Sequence, residues 1–179
     1  ITPYAEPSTE ELINTVLAVQ EKLYAEDPAV IDGCQTQGFR EKVETAIFNS
    51  KGLDLHSENT LSGLVVASVV TDGKEMANDY EIRLGELSSI DTDALTAKVT
   101  ASALQKLGGE VAPTGQYPVV FAPEAMCSLL GVFSSIFSSE SAQKGLSALA
   151  GKEGKIIAAP CVTLVDDPFH PENPEPINF

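Results

Sequence analysis

The stretch Leu61-Ser62-Gly63-Leu64-Val65-Val66-Ala67-Ser68-Val69-Val70, followed by Asp72-Gly73, decides the fold. The run is nearly continuous in Leu, Val and Ala and has strand length, and Asp72-Gly73 is a tight hairpin signal. Met76 to Leu84 then runs back, with Tyr80, Ile82 and Leu84 on one face. Upstream, Val43 to Asn49 is a strand rich in β-branched and aromatic residues. Asn49-Ser50-Lys51-Gly52 turns the chain, and Leu53 to His56 returns as its partner. Four hairpin-joined strands make an antiparallel sheet.

Helices flank this sheet, so the expected class is α+β. Ser8 and Glu11 form a capping box: the Ser side chain accepts the N3 amide and the Glu reaches back. Leu12, Val16, Val19 and Leu23 recur at helical spacing, with Ile13, Leu17 and Tyr24 widening the stripe. Asp27-Pro28 ends that helix, because a residue before Pro avoids the helical region. Asp91 caps a second helix over 92–107, with Leu95, Val99, Ala103 and Leu107 as its stripe and Gly108-Gly109 as its stop. Tyr117 to Phe121 reads as a short buried strand, and Pro123 opens a third helix over 123–137. The Ser-rich stretch from Ser134 to Ser141 weakens that helix. Gln143 to Leu149 is expected to resume helix up to Gly151, with strands at Ile156-Ile157 and Val162 to Val165. The tail 166–179, with Pro168, Pro171, Pro174 and Pro176, can form neither a helix nor a central strand.

Composition excludes several functions. Among 179 residues there are 11 Lys plus Arg and 26 Asp plus Glu, a formal charge of −15. Such a surface repels phosphate, so neither nucleic acid nor anionic lipid is an expected partner. No apolar run reaches the roughly 18 residues of a membrane span. Cys34, Cys127 and Cys161 form no CxxC pair, and the reading is reduced, mostly buried thiols in the cytosol. The start, Ile1-Thr2-Pro3-Tyr4, has no signal-peptide pattern and no Met, and with the loop-like end it suggests a piece of a longer chain.

No convincing active site emerges from the residues. His56 and His170 are far apart and show no metal-ligand spacing. His170, after Asp166-Asp167-Pro168-Phe169, reads as part of an exposed acidic loop. Cys127 has no neighbouring base to make it a thiolate, so a buried small apolar residue is expected there. Ser134, Ser135, Ser138, Ser139 and Ser141 lack a nucleophile elbow and read as a helix break. Gly108-Gly109 matches no phosphate loop, and Gly151-Lys152-Glu153-Gly154-Lys155 is a turn carrying two cations.

Several segments in order resemble the TldD/PmbA family, known as modulators of DNA gyrase or peptide-maturation proteases. They are Asn49-Ser50-Lys51-Gly52, the helix from Ala101 to Gly109, and Tyr117-Pro118-Val119-Val120-Phe121-Ala122-Pro123-Glu124-Ala125. Gln143-Lys144-Gly145-Leu146-Ser147, Leu149-Ala150-Gly151-Lys152 and Val162-Thr163-Leu164-Val165-Asp166-Asp167-Pro168 continue the pattern. The resemblance implies a central α+β domain over 1–116 and, over 117–179, the beginning of a β-rich C-terminal domain. The family's active branch carries His-Glu-x-x-x-His on the helix after the Tyr117 strand, holding zinc with a downstream Cys. Here Gly131, Val132 and Ile136 fall at the His, Glu and His positions. The chain therefore resembles the PmbA (TldE) branch, whose members lack the motif. Implied are no catalytic residue, no metal, no cofactor, and unspecified peptide-binding residues. The implied role is a non-catalytic, cytoplasmic subunit of a TldD/TldE-type metalloprotease that acts on unfolded or precursor peptides. Its partner is a TldD-like zinc subunit, or itself. The other readings are a free-standing peptide-binding or scaffold domain, and an independent enzyme using Cys127 or the loop near His170.

Overall fold

The computed structural model describes residues 6–167. They fall into two compact units, the first running to Val111 and the second spanning Ala112–Asp166.

The first unit is a three-stranded antiparallel sheet with two helices on one face. Its elements are α1 (Thr9–Glu26), β1 (Gln35–Phe48), β2 (Asp54–Thr71), β3 (Met76–Leu84) and α2 (Thr92–Leu104), with β2 in the middle. The sheet is therefore antiparallel, as its sequence implies, but it has three strands rather than four. The expected strands at Leu53 to His56, from Asp54 on, and at Leu61 to Val70 are parts of one strand. No Gly or Pro interrupts Ser57 to Thr60, and those polar residues pair with Lys42 to Thr45 of β1. Lys42 Nζ lies 3.1 Å from Glu58 Oε1 and 3.3 Å from Glu44 Oε1, and these two carboxylates, Glu58 first, raise its pKa. β1 also begins earlier than Val43. Gly38 fits there because a Cβ would stand 2.9 Å from Leu12 Cδ2 and from Val16 Cγ2.

The helices are set by their caps. Ser8 Oγ accepts the Glu11 amide at 3.1 Å, and Asp91 Oδ1 accepts the Ala94 amide at 2.9 Å, each answering an orphan donor of a first turn. α1 stops at Asp27, whose carboxylate takes the Ala29 amide at 2.8 Å. α2 ends at Leu104, three residues before Leu107, and Gly108 turns at φ +72°. Val19 and Leu23 of α1, Leu64 and Val66 of β2, and Leu95 and Val99 of α2 form the core. Ile13, Leu17 and Tyr24, expected to widen the buried stripe of α1, are exposed instead. An 18-residue helix can lay only one side on a sheet this narrow.

Polar groups inside this core are mostly bonded, as burial requires, with Thr36 Oγ1 of β1 the exception among the described residues. Thr100 Oγ1 donates to Ser68 Oγ at 3.2 Å, Thr96 Oγ1 to Glu26 Oε2 at 3.0 Å and Ser62 Oγ to the Gly85 carbonyl at 2.8 Å. Lys98 reaches Glu81 Oε2 at 3.1 Å and Lys106 reaches Asp79 at 3.1 Å, tying α2 and its exit to β3.

The β2–β3 turn supplies a pH-dependent element. Asp72 Oδ1 accepts the Lys74 amide at 2.8 Å and the Glu75 amide at 2.9 Å. These bonds, the one from Glu75 first, hold its pKa below the usual carboxylate value. A lowered folded-state pKa means stabilisation that is present above the unfolded pKa and lost as pH falls through the folded one. The Asp72→Asn variant is expected to be the less stable protein at pH 7 and to converge with the parent below about pH 4, so that its acid limb is flatter. Urea unfolding at a series of pH values, followed by circular dichroism, checks this. Identical acid limbs in both proteins would sink it.

The second unit contains α3 (Pro123–Phe133), a 3₁₀ turn (Ser134–Phe137) and α4 (Ser139–Gln143). The expected helix over 123–137 thus changes to 3₁₀ at the serines, as the Ser-rich composition implies. The strands expected at Tyr117 to Phe121, Ile156-Ile157 and Val162 to Val165 do not form among the described residues. Apolar β-branched residues favour extended backbone, but a strand exists only with a ladder partner. A helix over Gln143 to Leu149 is absent too. Gly145 at φ +72° ends α4 in a Schellman motif, with Leu146 N–H donating to Ser141 O at 2.8 Å and Gly145 N–H to Ala142 O at 3.1 Å.

Candidate functional site

The second unit holds a groove of about 380 Å³. Ser147 builds it: its hydroxyl donates to the Ile136 carbonyl and accepts the Leu149 amide at 3.1 Å. This clips the segment after α4 beneath the 3₁₀ turn. Ile136, Phe137, Leu149 and Ile157 give apolar walls, and Lys152, Glu153 and Lys155 also line it. The two lysines arrive on successive tight turns, with Lys152 N–H bonded to Leu149 O and Lys155 N–H to Lys152 O, both at 3.0 Å. Gly151 and Gly154 permit these turns at φ +69° and +73°.

The residues singled out in the sequence are not brought together. His56 lies on β2 with Nε2 2.9 Å from Asp54 Oδ1, and both side chains are 73% exposed, which makes this a solvated surface pair. Cys34 is half-buried, and its sulfur accepts the Val69 amide at 3.2 Å. Cys127 and Cys161 are exposed, which corrects the expectation of mostly buried thiols. α3 buries none of its residues, so Cys127 packs under nothing. The serines act locally: Ser138 Oγ caps α4 by accepting the Ser141 amide at 3.4 Å, and Ser134 Oγ donates to Gly131 O at 2.8 Å. His170 lies outside the described residues.

Gly131 and Val132 are on α3, and Ile136 is on the 3₁₀ turn at the edge of the groove. None of the three offers a nitrogen, oxygen or sulfur ligand, so the residues present do not fit a zinc ion at this helix. A Cβ built on Gly131 meets nothing within 4 Å, so a side chain there has room. Among the described residues, no three His, Cys, Asp or Glu side chains converge as metal ligands. No helix among them is long and apolar enough to cross a membrane.

Comparison with known proteins agrees with this architecture. The model of the PmbA/TldA metallopeptidase central domain matches residues 2–107, and that of the PmbA/TldA metallopeptidase C-terminal domain matches residues 114–179. No curated protein sequence matches. A solved structure from Thermotoga maritima, described as a candidate modulator of a DNA gyrase, is 23% identical with a TM-score of 0.89. The match covers 100% of this chain and 42% of that one. A similarly described protein from Bacteroides thetaiotaomicron is 19% identical with a TM-score of 0.75, over 86% of this chain and 35% of that one. TldE from Thermococcus kodakarensis is 21% identical with a TM-score of 0.72, over 98% of this chain and 42% of that one. At these identities the likeness establishes the fold, and the chain spans less than half the length of each relative. With the central-domain model covering more than half of it, the chain belongs to the PmbA/TldA (TldD/PmbA) metallopeptidase family.

Proposed function

We propose that this chain is the central part, and the beginning of the C-terminal part, of a PmbA/TldE-type subunit. In this reading it is a non-catalytic, cytoplasmic member of a TldD/TldE-type metalloprotease that acts on peptides. One observation carries the reading: where the active branch of the family has His, Glu and His, this chain has Gly131, Val132 and Ile136. A metalloprotease needs ligands to hold the ion and a carboxylate to take the proton of its water. None of these three side chains can do either. The groove beside Ile136 then has a role other than chemistry, namely to hold or guide a peptide destined for a catalytic sibling.

Metal content tests this directly. Purified protein dialysed against zinc is expected to retain well under one equivalent by elemental analysis. The triple variant Gly131→His, Val132→Glu, Ile136→His is expected to show no peptidase activity alone. The third ligand and the hydrogen bonds that orient the first two would still be missing. One tightly held zinc per unmodified chain would overturn the non-catalytic reading.

A further inference from the structure

The two edges of the sheet are finished differently. In an antiparallel pair, the backbone groups of alternate residues point away from the partner strand. Gly85 N–H bonds Ser62 O at 2.9 Å, which continues the β2–β3 register and turns the odd-numbered residues of β3 toward β2. Its even-numbered residues point outward, and side chains answer them. Lys106 Nζ donates to Asn78 O at 2.9 Å, Tyr80 N–H donates to Asp79 Oδ1 at 2.9 Å, and Arg83 donates to Ile82 O at 3.0 Å. Charged side chains along an edge oppose further pairing. On β1 the outward residues are again even-numbered, since Asn49 N–H bonds Leu53 O in the β1–β2 register. Among the described residues nothing answers the backbone groups of Thr36 or Gly38. The stretch Gln35-Thr36-Gln37-Gly38-Phe39 has no charge, no Pro and no bulge.

α1 overhangs this open edge. Arg40 reaches the Pro7 carbonyl and Thr9 Oγ1, and Gly38 lies beneath Leu12 and Val16, so the helix runs back along β1. Its far flank faces α2: Lys22 Nζ lies 2.9 Å from Thr92 Oγ1, and Glu26 Oε2 accepts Thr96 Oγ1 at 3.0 Å. At about 100° per residue, Ile13, Leu17 and Tyr24 fall within an arc of about 40° on the side opposite Lys22 and Glu26. They therefore project past β1, and they are 54%, 57% and 42% exposed. A strand added to β1 would lie about 4.8 Å farther out, under this flank. Glu10 and Glu21, both exposed, rim the flank, while Lys22, the one cation of α1, is on the far side with Asp93. At the edge itself, Thr36 Oγ1 is buried without a hydrogen-bond partner, the only such side-chain atom among the described residues.

We infer that the edge of β1 from Gln35 to Arg40 accepts a fourth strand in trans, an extended peptide segment that is apolar at alternate positions and basic at its ends. Backbone pairing holds the segment, and its alternate side chains fill the space under Ile13 and Leu17. Charge selects its ends. Glu10 and Glu21 are about 16 Å apart along α1, and the six steps of a seven-residue strand span about 20 Å. Arg40, the one cation on this stretch of β1, is already paired with Glu6 at 3.2 Å. A lysine opposite Thr36 brings a donor to its Oγ1. The charge of −15 favours a basic segment and disfavours an acidic one, a second copy of this chain included. The inference rests on the first unit alone and stands whether or not a catalytic sibling exists.

Fluorescence anisotropy of the labelled peptide Lys-Thr-Val-Thr-Val-Thr-Lys with the 179-residue chain tests it, together with hydrogen exchange read by mass spectrometry. Saturable binding with Kd about 10–100 µM is expected, about 10-fold weaker or more when both lysines of the peptide are replaced by glutamate. Exchange over 35–40 should slow on binding, and exchange over β3 should not. Leu17→Glu, at an exposed position, should weaken binding about 10-fold while far-UV circular dichroism stays unchanged. Thr36→Pro removes an outward N–H that the β1–β2 ladder does not use, and it should abolish binding. Where that variant misfolds, Leu17→Glu decides. Ile82→Thr on β3 should leave the affinity unchanged. No saturation up to about 1 mM would overturn the inference. So would equal binding of the acidic peptide, indifference to Leu17→Glu, protection of β3 instead of β1, or a β1 edge already paired with a second copy.

Discussion

Gly63→Ala is expected to destabilise the first unit by about 3 kcal/mol, the upper end of what overpacking costs. Gly63 lies in the middle strand, and a Cβ there would overlap the Arg83 carbonyl oxygen and stand 3.0 Å from Phe39 Cζ. The carbonyl is backbone and cannot rotate away, so β3 must shift or the β2–β3 ladder must open where it ends. Gly131→Ala is the matched control. Gly131 is helical with open space around it, and alanine there should stabilise α3 by up to about 1 kcal/mol. Urea unfolding read by circular dichroism separates the two, and equal midpoints for both variants would contradict the described approach of β3 to Gly63.

Leu64→Ala should cost about 3 kcal/mol, within the usual range of 2–5 kcal/mol for a buried leucine. Leu64 is fully buried among Val19, Leu23, Val66, Leu95 and Val99, where α1, α2 and β2 meet. Three rigid elements bound the site, so it collapses poorly around a cavity, and the loss should be near that of full truncation. The neighbouring outward residue gives the contrast. Val65 is half-buried on the open face, and Val65→Ala should cost about 1 kcal/mol or less. A larger loss at Val65 than at Leu64 would reverse the assignment of faces.

What the sequence made legible was local. Ser8 and Asp91 announced helix starts because capping needs only a side chain and an amide three residues on. Asp72-Gly73 announced the β2–β3 turn for the same reason. The unbroken length of β2 was not legible. Ser57 to Thr60 look like a loop by themselves, and Lys42, distant in sequence, helps hold them in the strand. The exposure of Ile13, Leu17 and Tyr24 was hidden likewise, since periodicity marks apolar residues without saying how much sheet exists to cover them. In the second unit, propensity suggested strands at Tyr117 to Phe121 and Val162 to Val165, but the described residues offer them no ladder. The groove depends on a bond from Ser147 to Ile136, eleven residues apart, which no motif encodes. That Gly131, Val132 and Ile136 stand at the family's metal positions is an expectation from the resemblance; only their residue types are read directly from the sequence.

The central claim is that this chain works beside a catalytic sibling rather than as an enzyme. Affinity purification of the tagged protein from the cell that makes it, with mass spectrometry and zinc analysis of the complex, tests that claim most directly. The account predicts one dominant co-purifying chain that carries His-Glu-x-x-x-His, with zinc and peptidase activity that leave when that chain is removed. Recovery of this chain without such a sibling, yet with bound zinc and peptidase activity of its own, would contradict it.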